Sequence, residues 1–249
     1  MRDYNGIKAV SLTKFEKETG VKVSNCSGKM EGEKSITTSW TVTPLCQQNM
    51  EAAKKIVERL ISEGKDPEDP KNKVPVCYWC YAKGGCFKMF SAVRNAYERN
   101  TRILDSGTLS CLPDFDSRKE NTPVRYDTHG DLSSWNCLHN YCLIAAANPK
   151  TKFVLLTKNI ELCKEYFKEN KKPKNLVVNV SSFFVNHTVS ETVANYDWVD
   201  NVFTVYDKAY AKANGIVQNC KCYTGSCKNC KRCARRNNKD RYTKEILRK

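Results

Sequence analysis

The chain lacks any apolar run approaching the roughly 18 residues a membrane helix needs, which excludes a helical membrane anchor. It also lacks the apolar segment of a secretory signal, since it opens Met1-Arg2-Asp3-Tyr4-Asn5-Gly6. The expected compartment is a reducing cytoplasm, and disulfides are not expected there. Histidine is scarce: there are three, and His139 and His187 have no partner at ligand spacing. No internal repeat or low-complexity tract is visible. Acidic side chains are in deficit, 27 against 42 Lys plus Arg, leaving a net charge of +15. With 40% apolar and 10% aromatic residues among 249, the sequence describes a folded chain able to bury a real core.

What the sequence has in excess is cysteine, fourteen in all. In a reducing compartment, thiols are scattered core residues, catalytic groups or metal ligands, and spacing separates the cases. Cys26, Cys46, Cys111, Cys137, Cys142 and Cys163 stand apart or on apolar faces. Cys77, Cys80 and Cys86 form one group; Cys220, Cys222, Cys227, Cys230 and Cys233 form another.

Periodicity predicts a strand over Ser35 to Val42, a helix over Asn49 to Gly64, a loop from Lys65 to Lys73 and an amphipathic helix over Phe87 to Leu104. Beyond these, β-like runs at Val124 to Thr128, Phe153 to Thr157, Leu176 to Ser181 and Val202 to Tyr206 alternate with helical runs at Ser133 to Asn148 and Ile160 to Asn170. Phe183 to Trp198 carries no clear pattern. This alternation predicts an α/β fold built of parallel βαβ units, either a partial (β/α) barrel or an open parallel sheet. Thr128, Thr157 and Ser181 then fall on one rim, where ligands bind. Two parts are expected: residues 1–215 as the α/β domain with the cluster-binding loop, and residues 216–249 as a Cys-rich, basic extension. From Lys228 to Lys249 ten basic residues face only Asp240 and Glu245.

Cys77 and Cys80 form a chelating pair with a third ligand elsewhere. Thiolates select zinc, Cu(I) or iron–sulfur clusters, and three thiolates on a four-iron cluster leave one iron open. Half of a zinc knuckle and two buried thiols are the bland readings. Thr128-His129-Gly130-Asp131 follows a predicted strand, where Gly130 lets backbone approach a ligand and Asp131 accepts from an amine; alternatively Asp131 caps the next helix. Cys222, Cys227, Cys230 and Cys233, with Cys220 as an alternative first ligand, can close around Zn²⁺ or a cluster. The knuckle is expected to hold Lys228, Lys231 and Arg232 as a phosphate-binding surface, which makes a nucleic acid the expected partner.

The segments Cys77-Tyr78-Trp79-Cys80-Tyr81-Ala82, Gly130-Asp131, Leu156-Thr157-Lys158-Asn159 and Cys227-x2-Cys230-x2-Cys233 resemble, in order, the motifs of the phage "gene product 88" family of bacterial phages and mobile elements. That family looks like a shortened relative of radical S-adenosylmethionine enzymes. The resemblance implies a [4Fe-4S] cluster at the mouth of a partial (β/α)6 barrel, with S-adenosylmethionine as cofactor. It places Trp79 at the aromatic position before the last cluster cysteine, Gly130 and Asp131 at the methionine amine, and Ser181 and Ser182 near the ribose. The usual Cys-x3-Cys-x2-Cys loop is missing. Cys46, separated from Cys77 by thirty residues, is taken as the third ligand, with Cys86 as its competitor. The terminal cysteines then hold a second cluster, or zinc. Two functions follow: a radical-type iron–sulfur enzyme acting on nucleic acid, or a non-enzymatic, metal-stapled nucleic-acid-binding protein.

Overall fold

The computed structural model describes residues 3–26, 30–69, 71–83, 90–120, 122–220, 227–236 and 240–247. It begins with a hairpin, β1 (Asp3–Tyr4) and β2 (Ile7–Val10), turned by Asn5 and Gly6, whose φ angles of 52° and 79° match the twist of the paired strands. Helix α1 (Leu12–Thr19) starts on the Ser11 side chain, which accepts from the Lys14 N–H, and stops at left-handed Gly20. An antiparallel pair follows, β3 (Val23–Asn25) and β4 (Lys34–Ile36). Helix α2 (Pro44–Ser62), 3-10 turns at Val76–Trp79 and Tyr81–Lys83, and α3 (Ser91–Ser106) lead to β5 (Leu112–Pro113) and β6 (Val124–Tyr126). Strand and helix then alternate through α4 (Trp135–Ala147), β7 (Phe153–Thr157), α5 (Ile160–Glu169), β8 (Leu176–Ser181), α6 (Glu191–Ala194), β9 (Asn201–Tyr206) and α7 (Lys208–Ala213). The one-turn helix α8 (Cys227–Cys230), a 3-10 turn at Arg232–Ala234 and β10 (Tyr242–Ile246) follow.

The main sheet has the order β10-β9-β8-β7-β6-β4-β3, and every pairing in it is parallel except β3 with β4. Its six parallel strands lie side by side in chain order. Right-handed crossovers repeated in one direction put their helices on one face. Accordingly Ile36, Tyr126, Leu155, Val178, Val180 and Val202 share one core with Leu104 of α3, Tyr141 of α4 and Tyr166 of α5. The sheet does not close: β3 and β10 are its edges. This is the expected parallel α/β architecture, and it places Thr128, Thr157 and Ser181 at the carboxyl ends of neighbouring strands.

Helix α4 is buried nearly all round because the small sheet β1-β2-β5 covers the side that the main sheet does not. Its Tyr141 ring stacks on Tyr126 with centroids 3.9 Å apart, and the Tyr126 hydroxyl donates to the Tyr141 carbonyl at 2.9 Å. Two fully buried amides tie α4 to its surroundings: Asn148 accepts from Phe115 N–H and donates to Pro113 C=O, while Asn140 accepts from Leu109 N–H. Such satisfaction is what makes these polar groups tolerable inside a core.

Element boundaries differ where side chains compete with the ladder. The strand expected over Ser35 to Val42 ends at Ile36, because the Thr38 N–H turns to the Asp127 carboxylate at 2.9 Å instead of a neighbouring strand. The structure also adds β10, for which Tyr-Thr-Lys-Glu-Ile gives no apolar alternation. Its pairing with β9 and with the backbone of Asn219 and Cys220 supplies what its side chains do not.

Candidate functional site: a thiol-bearing rim

Cys46 and Cys77 are separated by thirty residues, and the chain that follows α2 returns along it, which leaves Cys77 within electrostatic reach of Cys46. Val57 and Leu60 on α2 pack with Val74, Tyr78 and Trp79, so the 3-10 turn carrying Cys77 folds onto the helix whose first turn carries Cys46. The returning segment is also tied to the chain beyond β8: Val76 N–H donates to Phe183 C=O at 2.8 Å, and Val185 N–H to Val74 C=O at 3.0 Å. Farther on, the Tyr81 hydroxyl donates to the Thr128 carbonyl just past β6. Cys46, Cys77 and Cys80 are all half-buried, and the segments that carry the last two are tied to the chain just past β6 and β8. Burial, with Asp131, Cys77 and Asp127 nearby, pushes the Cys46 thiol up.

Beneath them lies a polar node. Thr38 donates through N–H and hydroxyl to Asp127 Oδ1 at 2.9 and 2.7 Å, and its hydroxyl lies 2.8 Å from the Asp131 carbonyl oxygen. Tyr141 donates to the same Asp127 oxygen at 2.9 Å. Among the described residues, Asp127 Oδ2 is buried with no hydrogen-bond partner, and so is Ser182 Oγ at the end of β8. Burial pushes the Asp127 carboxyl up to about 7, against the hydrogen bonds from Thr38 and with the charge of Asp131 adding to the rise. Gly130, at φ 78°, passes so close to Thr38 that a Cβ there would sit 2.8 Å from its carbonyl oxygen.

Asp131 is placed at this rim, yet its carboxylate is occupied. One oxygen accepts from Leu132 N–H and the Thr157 hydroxyl, and the other from Lys158 N–H at 2.8 Å. It does not cap α4, as the alternative reading had it; Ser134 does, accepting from Cys137 N–H at 3.1 Å. Asp131 instead fastens the end of β6 to the end of β7. Trp79 packs edge-on against Tyr78 in the α2 cluster, and Ser181 is buried at the end of β8. His129 lies between the rings of Tyr81 and Tyr97, and burial lowers it to about 4, so it is neutral at neutral pH.

Cys227 and Cys230 bracket the one turn of α8, and Cys233 follows in the next 3-10 turn. The knuckle sits on the sheet face opposite the helices, where Asn179 donates to the Cys233 carbonyl at 3.1 Å and Asn201 to the Arg235 carbonyl at 3.2 Å. Arg232, expected to face phosphate, turns inward to Asp240 at 2.7 Å and the Thr243 hydroxyl at 3.2 Å. Cys220 is fastened along the outer edge of β10, its N–H donating to Lys244 C=O at 3.1 Å. Cys86 and Cys222 lie outside the described residues. None of the described cysteines is in a disulfide, and no three Cys, His, Asp or Glu side chains among the described residues stand at mutual ligand spacing. Cys111, Cys137, Cys142 and Cys163 are buried core thiols, as their apolar settings suggested.

Sequence reasoning missed Asp127 and Thr38. The signal was present in both cases: polar residues directly after two parallel strands, Ile36-Thr37-Thr38 and Tyr126-Asp127-Thr128, in the place where α/β sheets put their ligands. Among the described residues no helix is long and apolar enough to cross a membrane. No curated protein and no solved structure matches the chain. A family model does match, over residues 17–241 and thus nearly the whole of it, and by that match the chain belongs to the Gene product 88 family.

Proposed function

We propose that this Gene product 88 protein is an iron–sulfur enzyme of radical S-adenosylmethionine type, with a [4Fe-4S] cluster on Cys46, Cys77 and Cys80. The observation that carries this reading is the nearness of Cys46, in the first turn of α2, to Cys77, in the turn that packs on the same helix, above six parallel strands that lie in chain order. The donor set fits. Three thiols leave one iron of a four-iron cluster open, and the first of them sits at a helix N-terminus, where partial positive charge favours thiolate. A cation is also what this site needs, because burial beside two carboxyls keeps the lone Cys46 thiol protonated. Held by these three thiols, a cluster would supply one-electron reduction of a ligand at this rim.

The rim supplies the rest. Asp127 Oδ2 and Ser182 Oγ are buried polar atoms of this rim with no hydrogen-bond partner among the described residues, so they suit the amine and hydroxyl groups of S-adenosylmethionine. Asp131 acts through others: by holding Thr157 and Lys158 it sets the floor on which the ligand rests. Gly130 keeps that floor tight against Thr38. Trp79 anchors the Cys77–Cys80 turn on α2. A net charge of +15 favours a polyanion, and nucleic acid is the substrate class that fits it.

Anaerobic purification followed by iron, sulfide and zinc analysis tests the reading. Iron and sulfide are expected in the wild type, reduced by Cys46→Ala, Cys77→Ala and Cys80→Ala and retained by Cys86→Ala. Iron retained by Cys46→Ala but lost in Cys86→Ala overturns the ligand set. A protein without sulfide, whose affinity for DNA or RNA falls with salt, supports instead the non-enzymatic nucleic-acid-binding protein.

A further inference from the structure

Arg125 occupies the middle of the sheet face that the rim does not use. Its neighbours Val124 and Tyr126 point into the helix-side core, so its own side chain points to the opposite face. There it pairs with Glu33, which is almost wholly buried. In register beside it on β4 is Ser35, and Ser35 is hydrogen-bonded to the thiol of Cys26. Cys26 is held in place by its own N–H, which donates to Glu33 C=O at 2.9 Å. From the other side comes the knuckle, seated by Asn179 and Asn201. Cys227 and Cys233 both stand within electrostatic reach of Arg125, and Cys227 also stands within reach of Cys26.

We propose that Cys26, Cys227, Cys230 and Cys233 are the four thiolate ligands of one zinc-class ion seated over Arg125. The inference is independent of the cluster proposed at the rim, which uses other cysteines. Three ligands come from the short run Cys227-x2-Cys230-x2-Cys233, and the fourth from a strand end two hundred residues earlier in the chain. Four thiolates close a tetrahedral site and leave no position for substrate, which makes the centre structural. Two thiolates in excess of the ion's charge are left over, and the half-buried guanidinium of Arg125 stands beside them with its charge shared with Glu33. The four thiols are not at ligand spacing as they stand, so the ion has to draw them in. Cys220 is excluded by its place on the outer edge of β10, four strands from Arg125. The product is a staple joining the β3–β4 hairpin to the C-terminal segment across the open face.

The test uses the full chain loaded with Zn²⁺, dialysed against a chelator weak enough to leave the wild type loaded. Cys26→Ser is expected to lose one equivalent of zinc, as Cys230→Ser does, while Cys222→Ser keeps it. Co²⁺ in place of zinc reports thiolate number, and its sulfur charge-transfer band is expected to fall by about a quarter in any Cys26→Ser protein that still binds. Because that variant can fail to fold, iodoacetamide footprinting of the wild type provides a second measurement. Cys26 is expected to be protected with zinc and alkylated after chelation, in step with Cys227, Cys230 and Cys233. Equal alkylation of Cys26 with and without zinc, or loss of the equivalent in Cys222→Ser but not in Cys26→Ser, overturns the ligand set. Iron and sulfide in place of zinc at these four cysteines overturn the choice of ion.

Discussion

Replacing Gly130 with alanine tests whether the rim node is as tight as it looks. Two costs add. The φ of 78° is a left-handed conformation that an L side chain occupies at about 1–2 kcal/mol. The new Cβ also arrives 2.8 Å from both the carbonyl oxygen and the hydroxyl of Thr38. Neither can yield cheaply: the first is backbone at the end of β4, and the second holds Asp127 and the Asp131 carbonyl. Overpacking of this kind costs about 1–3 kcal/mol, for a sum of about 2–5 kcal/mol. Gly6→Ala is the control, because Gly6 has nearly the same φ, 79°, and nothing within 4 Å of its Cβ position. The gain from a stiffer unfolded chain is common to both variants and cancels. Urea unfolding of the two proteins, compared at equal slope, isolates the clash. If Gly130→Ala is destabilised no more than Gly6→Ala, to within about 0.5 kcal/mol, the rim is not the rigid floor described above.

Asp127→Asn removes a carboxyl whose pKa rises from 3.8 to about 7 on folding. The folded state therefore holds that proton more tightly, and wild-type stability should fall relative to the variant as pH rises from about 4 to about 7, by on the order of 4 kcal/mol; parallel profiles in chemical denaturation at a series of pH values would contradict the burial argument. Asp200→Asn leaves Lys172, 7% exposed, without its counter-charge and frees Arg236, so a loss of about 3–5 kcal/mol is expected, smaller at high pH, where Lys172 can shed its proton. Arg125→Met strands Glu33 at similar cost and should hasten zinc loss to a chelator without changing the number of thiolates seen by Co²⁺. Tyr81→Phe removes the tie to Thr128, worth about 1 kcal/mol, and should raise proteolytic cutting around Cys80 with global stability little changed.

The parallel strands and their helices were legible because each is a short apolar run with its own period, from Phe153–Thr157 to Leu176–Ser181. The shared rim then followed from handedness alone. What could not be read was anything decided across the chain. Asp131 looked like a helix cap or an amine ligand, and only the arrival of Thr157 and Lys158 beside it shows what its carboxylate does. Arg232 sits in a basic run that suggests a phosphate contact, but Asp240 and Thr243 claim it after the knuckle folds. Cys26, isolated in sequence, gains its neighbours from β4, β6 and a segment two hundred residues away. Tyr242–Ile246 carries too little apolar character to announce a strand; an existing edge on β9 recruits it.

That recruitment bears on how the molecule is made. During synthesis, β9 emerges with its outer edge bare, and the face beneath the knuckle stays uncovered until residues 227–246 follow. A nascent chain in that condition presents an open parallel edge and the polar inner residues Asn179 and Asn201 to its surroundings, the kind of template that sticks to other chains. Messages that end early, between Tyr206 and Tyr242, should therefore yield protein that precipitates or is degraded, even though every βα unit upstream is complete.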